Sequence, residues 1–211
     1  MNRKEHWESV YRTRPVTEVS WYQAEAALSV RLIREVVPDR SAPIIDVGGG
    51  ASVLASQLMS AGYTNLSVLD LSQAALAVAR GALGPHGGGV DWIEADILDA
   101  ELPLAHFQCW HDRAVFHFLT DPAARSTYVA QVRHALAPGG YLLVATFAED
   151  GPTRCSGLDV VRYSPAALRA EFGSGFALVA AYREEHRTPS GSMQAFSYCL
   201  CRRESAEQPI T

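Results

Sequence analysis

The stretch Ile44-Ile45-Asp46-Val47-Gly48-Gly49-Gly50-Ala51-Ser52 decides the fold of this chain of 211 residues. A short apolar run ends in an acid and three consecutive glycines, and a helical pattern that includes Leu54 and Leu58 follows directly. This order predicts a buried strand, a tight turn and a helix, which together form the first half of a βαβ unit. Because glycine has no Cβ, such a turn lets a ligand approach the backbone closely.

A dinucleotide-binding turn is one interpretation of these glycines, and the neighbouring residues disfavour it. Such a site has the pattern Gly-x-Gly-x-x-Gly, in which the third glycine permits close helix packing beside the pyrophosphate. Gly48 and Gly50 fit the first two positions, but Val53 occupies the third. The carboxylate of Asp46 would also work against a pyrophosphate, whereas it suits a ligand with a positive charge and hydroxyl groups. The stretch therefore predicts a cationic nucleoside as the ligand.

Four motifs in succession resemble those of the class I S-adenosylmethionine-dependent methyltransferases. Asp46–Gly50 looks like the first motif of that family, and Val68–Ser72 is similar to the second, whose strand ends in an acid. Ile93–Ile97 resembles the third motif, and Leu136–Val144 resembles the turn and central strand that follow the cofactor site. Each motif alone is weakly specific, but the order and spacing of all four are characteristic. The resemblance covers roughly residues 40 to 150.

The resemblance implies S-adenosylmethionine as the methyl donor and S-adenosylhomocysteine as its product. It implies that Asp70 binds the ribose hydroxyls, and that Asp96 and its apolar neighbour Ile97 flank the adenine. It also implies an α/β fold, a doubly wound, mostly parallel seven-stranded sheet that an antiparallel C-terminal hairpin closes. The candidate cofactor-binding residues are Tyr11, Trp21, Asp46, Gly48, Gly49, Gly50, Asp70, Leu71, Asp96, Ile97 and His111.

The best catalytic candidates follow the predicted fourth strand, Phe107–Trp110. Ligands of open α/β sheets bind outside the carboxyl ends of the strands, and in this family the fourth strand lies beside the first. We therefore expect His111, Arg113 and His117 to face the sulfonium and its methyl group. Two alternatives stay open: Asp112 and Arg113 form an ion pair that holds the loop, or His117 is an aromatic-flanked core residue.

The N-terminal segment, residues 1–40, precedes the predicted Rossmann-like domain, residues 41–211, within one compact domain. Trp7 and Tyr11 lie at helical spacing, and Trp21 follows a short link. Large amphipathic rings suit a site that is closed and partly polar, so one interpretation is a helical lid over the cofactor. The other is that these rings simply pack the helices on the sheet.

The cysteines give little reason to expect a metal. Cys199 and Cys201 are two residues apart on a predicted strand and therefore share a face, where they resemble small apolar filling. With Cys155, His111 and His117 they would be the donors of a soft-metal or metalloid site, but their spacing matches no zinc pattern. We predict no metal site.

Composition excludes several classes of partner. The formal net charge is −5, so the chain lacks the basic footprint of a nucleic-acid-binding protein. No apolar run approaches the length of a membrane span, and no apolar core follows the charged N-terminus as in a signal peptide. We expect a cytoplasmic protein with neither a nucleic-acid nor a membrane partner. The sequence makes no prediction of the oligomeric state.

Three functions fit these residues. The first is methyl transfer to a small-molecule acceptor, because no recognition domain is appended and an aromatic lid is expected. The second is methylation of a protein lysine, since some small enzymes of this fold carry an acid and a basic residue after the fourth strand, as Asp112 and Arg113 do. The third is a non-catalytic S-adenosylmethionine-binding domain. A thiolate or metalloid acceptor would need no protein base, whereas His111 or His117 would serve a hydroxyl or an amine.

Overall fold

The strands are short around the glycine turn and long near the C-terminus. The computed structural model describes residues 2–205, without the side chains of residues 85 and 86. In chain order the strands are β1 (Ile44–Val47), β2 (Leu66–Asp70), β3 (Val90–Glu94), β4 (Phe107–Arg113), β5 (Leu136–Phe147), β6 (Arg154–Cys155), β7 (Leu158–Asp159), β8 (Phe176–Arg187) and β9 (Met193–Arg203).

Seven of these strands form one sheet in the order β3-β2-β1-β4-β5-β9-β8. The first five pair in parallel, whereas β9 runs antiparallel to both β5 and β8. The predicted seven-stranded, mostly parallel sheet with an antiparallel C-terminal hairpin is therefore confirmed. The strand order reverses between β1 and β4, and such a switch point opens a crevice at the carboxyl ends of the strands.

Helices cover both faces of the sheet. Leu32 and Leu58 pack on one face, while Tyr128 and Phe172 pack on the other, and all are almost completely buried. Within residues 2–205, no helix has the length and apolar character that crossing a membrane requires. The α-helices are α1 (Arg3–Thr13), α2 (Ala27–Val36), α3 (Leu54–Ser60), α4 (Gln73–Leu83), α5 (Pro122–Ala135) and α6 (Pro165–Phe172).

Helices α5 and α6 begin with local caps. The Asp121 carboxylate accepts the backbone N–H of Ala123, and the Ser164 hydroxyl accepts that of Ala167. A proline follows each capping residue, at a position where the helix needs no backbone donor. The helical pattern after the glycines forms α3, which begins at Leu54 because the turn after β1 extends through residue 53.

Two features between β4 and β8 were not predicted. The loop of residues 148–160 contains the small antiparallel pair β6–β7, in which Cys155 lies opposite Leu158. The expected turn at Ala137–Gly140 is instead part of β5, and the pairing register between β4 and β5 shifts there. Side-chain periodicity cannot indicate a pair with two residues per strand, because alternation needs a longer run.

Candidate active site

The three glycines after β1 bring the backbone against two carboxylates. Gly48 has a φ of +71°, which is in the left-handed region. A Cβ on Gly49 would lie 2.2 Å from Oδ2 of Asp46, and a Cβ on Gly50 would lie 2.7 Å from Oδ2 of Asp70. The run of glycines is therefore required by the close approach of this turn to the acids at the ends of β1 and β2.

Asp70 is buried at the end of β2 and holds the turn in place. Its carboxylate accepts the N–H of Gly50 at 3.0 Å and that of Ser72 at 2.8 Å. Burial disfavours the charged form and raises the pKa of Asp70 to about 6, although these two hydrogen bonds act in the opposite direction. The side chain also lines the larger of two adjoining cavities, so it is available to a ligand.

Asp46 and His111 are paired because β1 and β4 place them side by side in register. His111 Nδ1 lies 2.7 Å from Oδ1 of Asp46, and His111 Nε2 lies 2.9 Å from the hydroxyl of Ser29 on α2. The second oxygen of Asp46, Oδ2, is buried and has no hydrogen-bond partner among residues 2–205. A buried acceptor without a donor is costly, so this oxygen is suited to a donor on a ligand.

The larger cavity, called the main cavity below, has a volume of about 790 Å³. Part of its wall comes from the end of β2 and from the residues that follow β2 and β3, which are Asp70, Leu71, Asp96 and Ile97. The side cavity, of about 580 Å³, adjoins it and is lined by Asp46, Gly48, Gly49, Ser29 and His111, among others. Both lie at the carboxyl ends of the parallel strands, where the fold predicts a ligand.

Four aromatic rings, here called the aromatic cover, also line the main cavity. They are Trp7, Tyr11, Trp21 and Phe118. Trp7 packs edge-on against Trp21 and Phe118, with ring centroids 5.5 and 5.1 Å apart. Trp21 Nε1 donates to the Tyr11 hydroxyl at 3.1 Å. The expected proximity of Tyr11 and Trp21 to the ligand site thus matches their positions in the cavity wall.

Helix α1 is attached to the sheet by side chains whose role the sequence did not indicate. Arg3 pairs with Asp96 at 2.6 Å and lines the main cavity. The Glu8 carboxylate accepts the Ser72 hydroxyl at 2.7 Å and the N–H of Ala74 at 3.2 Å, both in the first turn of α4. Alternating basic and acidic residues on an amphipathic helix indicate a solvated face, so no sequence signal distinguishes Glu8.

Arg113 joins the sheet to the aromatic cover. Its guanidinium pairs with Glu184 at 3.1 Å, donates to the Tyr198 hydroxyl at 3.0 Å and donates to the backbone carbonyl of Trp21 at 3.3 Å. It also lies over the Phe196 ring, 4.0 Å from its centroid. Arg113 lines both cavities, but these partners already compensate its charge.

The alternative ion pair between Asp112 and Arg113 does not form. Successive residues of a strand point to opposite faces, so these side chains lie on opposite sides of β4. Asp112 instead accepts the N–H groups of Val115 and Phe116, at 2.8 and 3.1 Å, and the Tyr128 hydroxyl at 2.5 Å. Burial raises the pKa of Asp112 to about 6. Asp112 therefore holds the turn after β4 from inside the core.

His117 lies behind the main cavity and lines neither cavity. The side chain is completely buried, in contact with the rings of Phe118 and Phe147. Its Nδ1 accepts the N–H of Phe147 at 3.4 Å, and its Nε2 has no partner among the described residues. Burial lowers the pKa of His117 to about 3, so the ring is neutral at physiological pH.

The cysteines occupy separate places. Cys155 lines the main cavity beside the aromatic cover, whereas Cys199 and Cys201 are buried in the core on the other face of the sheet. Burial raises the pKa of all three thiols, to about 11, 12 and 11 respectively. Within residues 2–205, His, Cys, Asp and Glu side chains form no group of three that could hold a metal.

Most of the predicted site residues therefore meet at one crevice. Gly50 lies beneath it and donates to Asp70, and His117 lies outside it. The predicted residues that line one or both cavities are Tyr11, Trp21, Asp46, Gly48, Gly49, Asp70, Leu71, Asp96, Ile97, His111 and Arg113.

Comparison with known proteins identifies the family of this crevice. A sequence profile described as a methyltransferase domain matches residues 44–140. An uncharacterized methyltransferase of Mycobacterium tuberculosis is 32% identical over 117 residues, which cover 55% of this chain and 56% of that protein. This match, the relatives and the solved structures together support the class I S-adenosylmethionine-dependent methyltransferase family for residues 44–140. The chain spans a little over half the length of the mycobacterial methyltransferase.

Other methyltransferases match more of the chain. A ubiquinone/menaquinone biosynthesis C-methyltransferase of Methylobacterium nodulans is 31% identical over 171 residues, covering 78% of this chain and 64% of that protein. The human EEF1A lysine methyltransferase 2 is 25% identical over 208 residues, covering 91% of this chain and 80% of that protein. Methyltransferases with different acceptors are therefore among its relatives.

Solved structures show the same fold. One of them comes from work on the conversion of a disulfide bond into a thioacetal group during echinomycin biosynthesis. It superposes on this chain with a TM-score of 0.76 and 18% identity, and the match covers 99% of this chain and 95% of that one. The 1,6-didemethyltoxoflavin-N1-methyltransferase of Burkholderia thailandensis superposes with a TM-score of 0.69 and 20% identity, covering 86% and 80%. The methyltransferase fold extends over nearly the whole chain.

The crevice fits the cofactor of the class I methyltransferases, S-adenosylmethionine. Asp70 is a buried acceptor at the end of β2, as ribose hydroxyls require, and Leu71 and Ile97 supply apolar surface for adenine. The unpartnered Oδ2 of Asp46 suits the ammonium group of the methionine part. These positions agree with a cationic nucleoside and disfavour a pyrophosphate.

Proposed function

We propose that this protein transfers a methyl group from S-adenosylmethionine to a small-molecule acceptor. The main cavity supports this function most directly, because the acid of β2 and the aromatic cover line the same cavity. A ligand that reaches from Asp70 toward Gly48 would present its reactive centre under those rings. A concave cavity lined mainly by apolar and aromatic side chains is typical of a small-molecule site.

The cofactor would be held by residues from four elements. Asp70 would accept from the ribose hydroxyls, and the adenine would lie between Leu71 and Ile97. The Asp46 carboxylate would accept from the ammonium group, and His111 would keep that carboxylate oriented through its 2.7 Å contact. His111 is in this proposal a positioning residue, because both of its ring nitrogens already have partners.

When bound, S-adenosylmethionine supplies a methyl group that its sulfonium has already activated. The residues of the crevice would then contribute mainly proximity and alignment, which are a large share of the barrier in such displacements. The aromatic cover would exclude water from the reacting atoms. Arg113 would fix the cover by donating to the carbonyl of Trp21.

We propose that the N-terminal segment acts as a lid on residues 41–211. Helix α1 crosses the ends of β2 and β3, where Arg3 contacts Asp96 and Lys4 contacts Glu94. Trp7 and Tyr11 extend from the same helix into the cavity wall. A cofactor bound at Asp70 would therefore lie beneath α1, and the helix would have to move for it to enter.

Methylation of a protein lysine is the second candidate. The human lysine methyltransferase relative, which spans 91% of this chain, favours it. The aromatic cover favours a small acceptor, because a lysine on a folded partner would have to pass the rings of Trp7 and Trp21. A non-catalytic role has less support, since the glycine turn and both ligand acids form a connected site.

The cofactor part of the proposal is tested by calorimetry with S-adenosylhomocysteine. We expect binding by the wild type and at least a tenfold weaker affinity for Asp70→Ala, because the ribose hydroxyls lose their acceptor. Asp91→Ala is the matched control, since Asp91 is an exposed acid on the neighbouring strand β3. Equal affinities of the two variants would contradict the placement of the ribose.

The acceptor class is tested with labelled S-adenosylmethionine and a cell extract separated by size. Label recovered in the small-molecule fraction supports the proposal. Label recovered on protein, and removed when lysines are blocked, supports the second candidate. Cofactor binding without transfer to either fraction would support the non-catalytic function.

A further inference from the structure

The main cavity is lined by few titratable side chains. Its carboxylates, Asp70 and Asp96, are both assigned to adenosine in the proposed function. The other titratable groups in the described wall are Arg3, which is paired with Asp96, and Tyr11, Arg113 and Cys155. No imidazole among the described residues lines the main cavity.

Tyr11, Arg113 and Cys155 are not suited to take a proton near neutral pH. Burial raises the pKa of the Cys155 thiol to about 11, and burial raises the pKa of the Tyr11 phenol still further. The Tyr11 hydroxyl also accepts the indole N–H of Trp21. Arg113 is a guanidinium and has no acceptor to offer.

The nearest bases outside this wall do not line the main cavity. His6 packs beside Trp7, its Nε2 lies 3.3 Å from the Ser156 hydroxyl, and it lines neither cavity. His111 is held between Asp46 and Ser29, on the side cavity. His117 is completely buried behind the wall. Glu184 is paired with Arg113 and also accepts from Gln23 and from Tyr198. Asp112 is bonded within the core.

Resting on the proposed function, we infer that the acceptor is an apolar or aromatic small molecule that attacks through a soft, unprotonated atom, a thiolate sulfur or a heteroaromatic nitrogen. A hydroxyl acceptor would need a base during the transfer. A primary ammonium loses its proton to solvent less readily than a thiol does, so only a small fraction of an amine has a free lone pair at neutral pH. A carboxylate acceptor would lose its hydrating water on entering the cavity. Aromatic rings cannot replace those hydrogen bonds, and Arg113 is already paired with Glu184.

The transfer then balances without a proton acceptor on the protein. A lone pair of the acceptor forms the new bond to the methyl carbon. The bond from that carbon to the sulfonium sulfur breaks, and its electron pair stays on the sulfur as a neutral thioether. A thiol acceptor loses its proton to solvent before it binds, and a heteroaromatic nitrogen carries no proton at its lone pair.

The experiment compares acceptors of similar shape that carry different attacking groups. Thiophenol and phenol form one matched pair, and quinoline and naphthalene-2-methylamine contrast a heteroaromatic nitrogen with a primary amine. We expect thiophenol or quinoline to be methylated with a kcat/KM at least about 100-fold above that of phenol or the amine. A phenol or amine turned over at a comparable rate would overturn the inference.

A series of ring-substituted thiophenols locates the ionisation that controls the rate. We expect the midpoint of the pH profile of kcat/KM to follow the pKa of each thiol, because the acceptor ionises in solution. A midpoint that stays fixed across the series would reveal a protein base and overturn the inference. A substituted quinoline series serves the same purpose if nitrogen is the attacking atom.

A binding measurement separates this inference from the proposed function. Trp7 and Trp21 line the cavity, so thioanisole should quench tryptophan fluorescence in the complex with S-adenosylhomocysteine, and benzoate should not. If the cofactor binds but neither soft acceptor is bound or methylated, the inference fails while the cofactor site stands. If S-adenosylhomocysteine itself does not bind, the proposed function fails as well.

Discussion

Each glycine of the turn after β1 faces a different neighbour. A Cβ on Gly48 would lie 2.0 Å from Cγ2 of Val115, whereas Gly49 and Gly50 would meet the carboxylates of Asp46 and Asp70. The sequence predicted the turn and its acids, because glycine and aspartate after an apolar run are local signals. It did not indicate Val115, since the contact joins residues distant in the chain.

Replacing Gly48 by alanine should strongly destabilise the protein. The φ of +71° and the contact with Val115 act together, so we expect a loss of about 2–5 kcal/mol in the free energy of unfolding. Gly191→Ala is the control for backbone strain alone, because its φ is +89° and nothing lies within 4 Å of the added Cβ. Chemical denaturation measures both, and equal losses would show that the turn accommodates the methyl group.

The affinity for S-adenosylhomocysteine should depend on the charge of Asp70. Its pKa of about 6 lies above the unfolded value because burial disfavours the carboxylate. Ribose hydroxyls bind the ionised form, so protonation competes with the ligand, and affinity should fall as the pH drops below 6. Well below pH 6, the affinity should fall by about tenfold for each pH unit. Calorimetry across this range should show the fall, and Asp70→Asn should flatten it.

At the scale of elements, α1 is attached by contacts of unequal burial. Lys4 and Glu94 form an exposed pair, whose contribution is small. Glu8 is mostly covered and accepts from both Ser72 and Ala74 at the start of α4. The carboxylate thus joins the N-terminal turn of α4 to α1, in the orientation that the helix dipole favours.

Removing the Glu8 carboxylate should loosen α1 more than removing the Lys4 pair. For Glu8→Ala we expect amide exchange within α1 to rise about tenfold, because two hydrogen bonds to the charged group are lost. Lys4→Ala should change exchange by less than about threefold. Glu8→Gln, which keeps one acceptor oxygen, should lie between them. Similar exchange in all three variants would contradict the anchoring role of Glu8.

Prediction succeeded where an element carries its own signal. β1, the caps of α5 and α6, and the C-terminal hairpin all follow from short local patterns. The 148–160 loop did not reveal β6–β7, because two-residue strands carry no periodicity. The assignment of Asp112 was open for a different reason: which face of β4 is buried depends on packing partners elsewhere in the chain.

At the scale of the whole molecule, the buried His117 in the turn after β4 makes the stability of the fold depend on pH. It is completely buried, and its pKa is lowered to about 3. The unfolded chain therefore binds this proton first as the pH falls. The stability that neutral His117 contributes is fully present above about pH 6.5, and it is lost progressively as the pH drops toward 3.

This loss is measurable as a difference between the wild type and His117→Gln. The unfolding free energy of the wild type relative to the variant should fall by about 1.4 kcal/mol per pH unit between about pH 6.5 and 3. Asp70 and Asp112 also titrate in this range, but they are present in both proteins and cancel in the difference. A difference independent of pH would show that the site is hydrated.

The wall of the main cavity is supplied by two kinds of segment. The residues proposed to hold the nucleoside come from one continuous run that starts at β1 and ends after β3, whereas the aromatic cover and Cys155 come from α1, Trp21, the turn after β4 and the β6–β7 pair. Substitutions in the aromatic cover and at Cys155 lie outside that continuous run. A lineage built on this plan is free to exchange acceptors while it keeps the residues proposed for the donor.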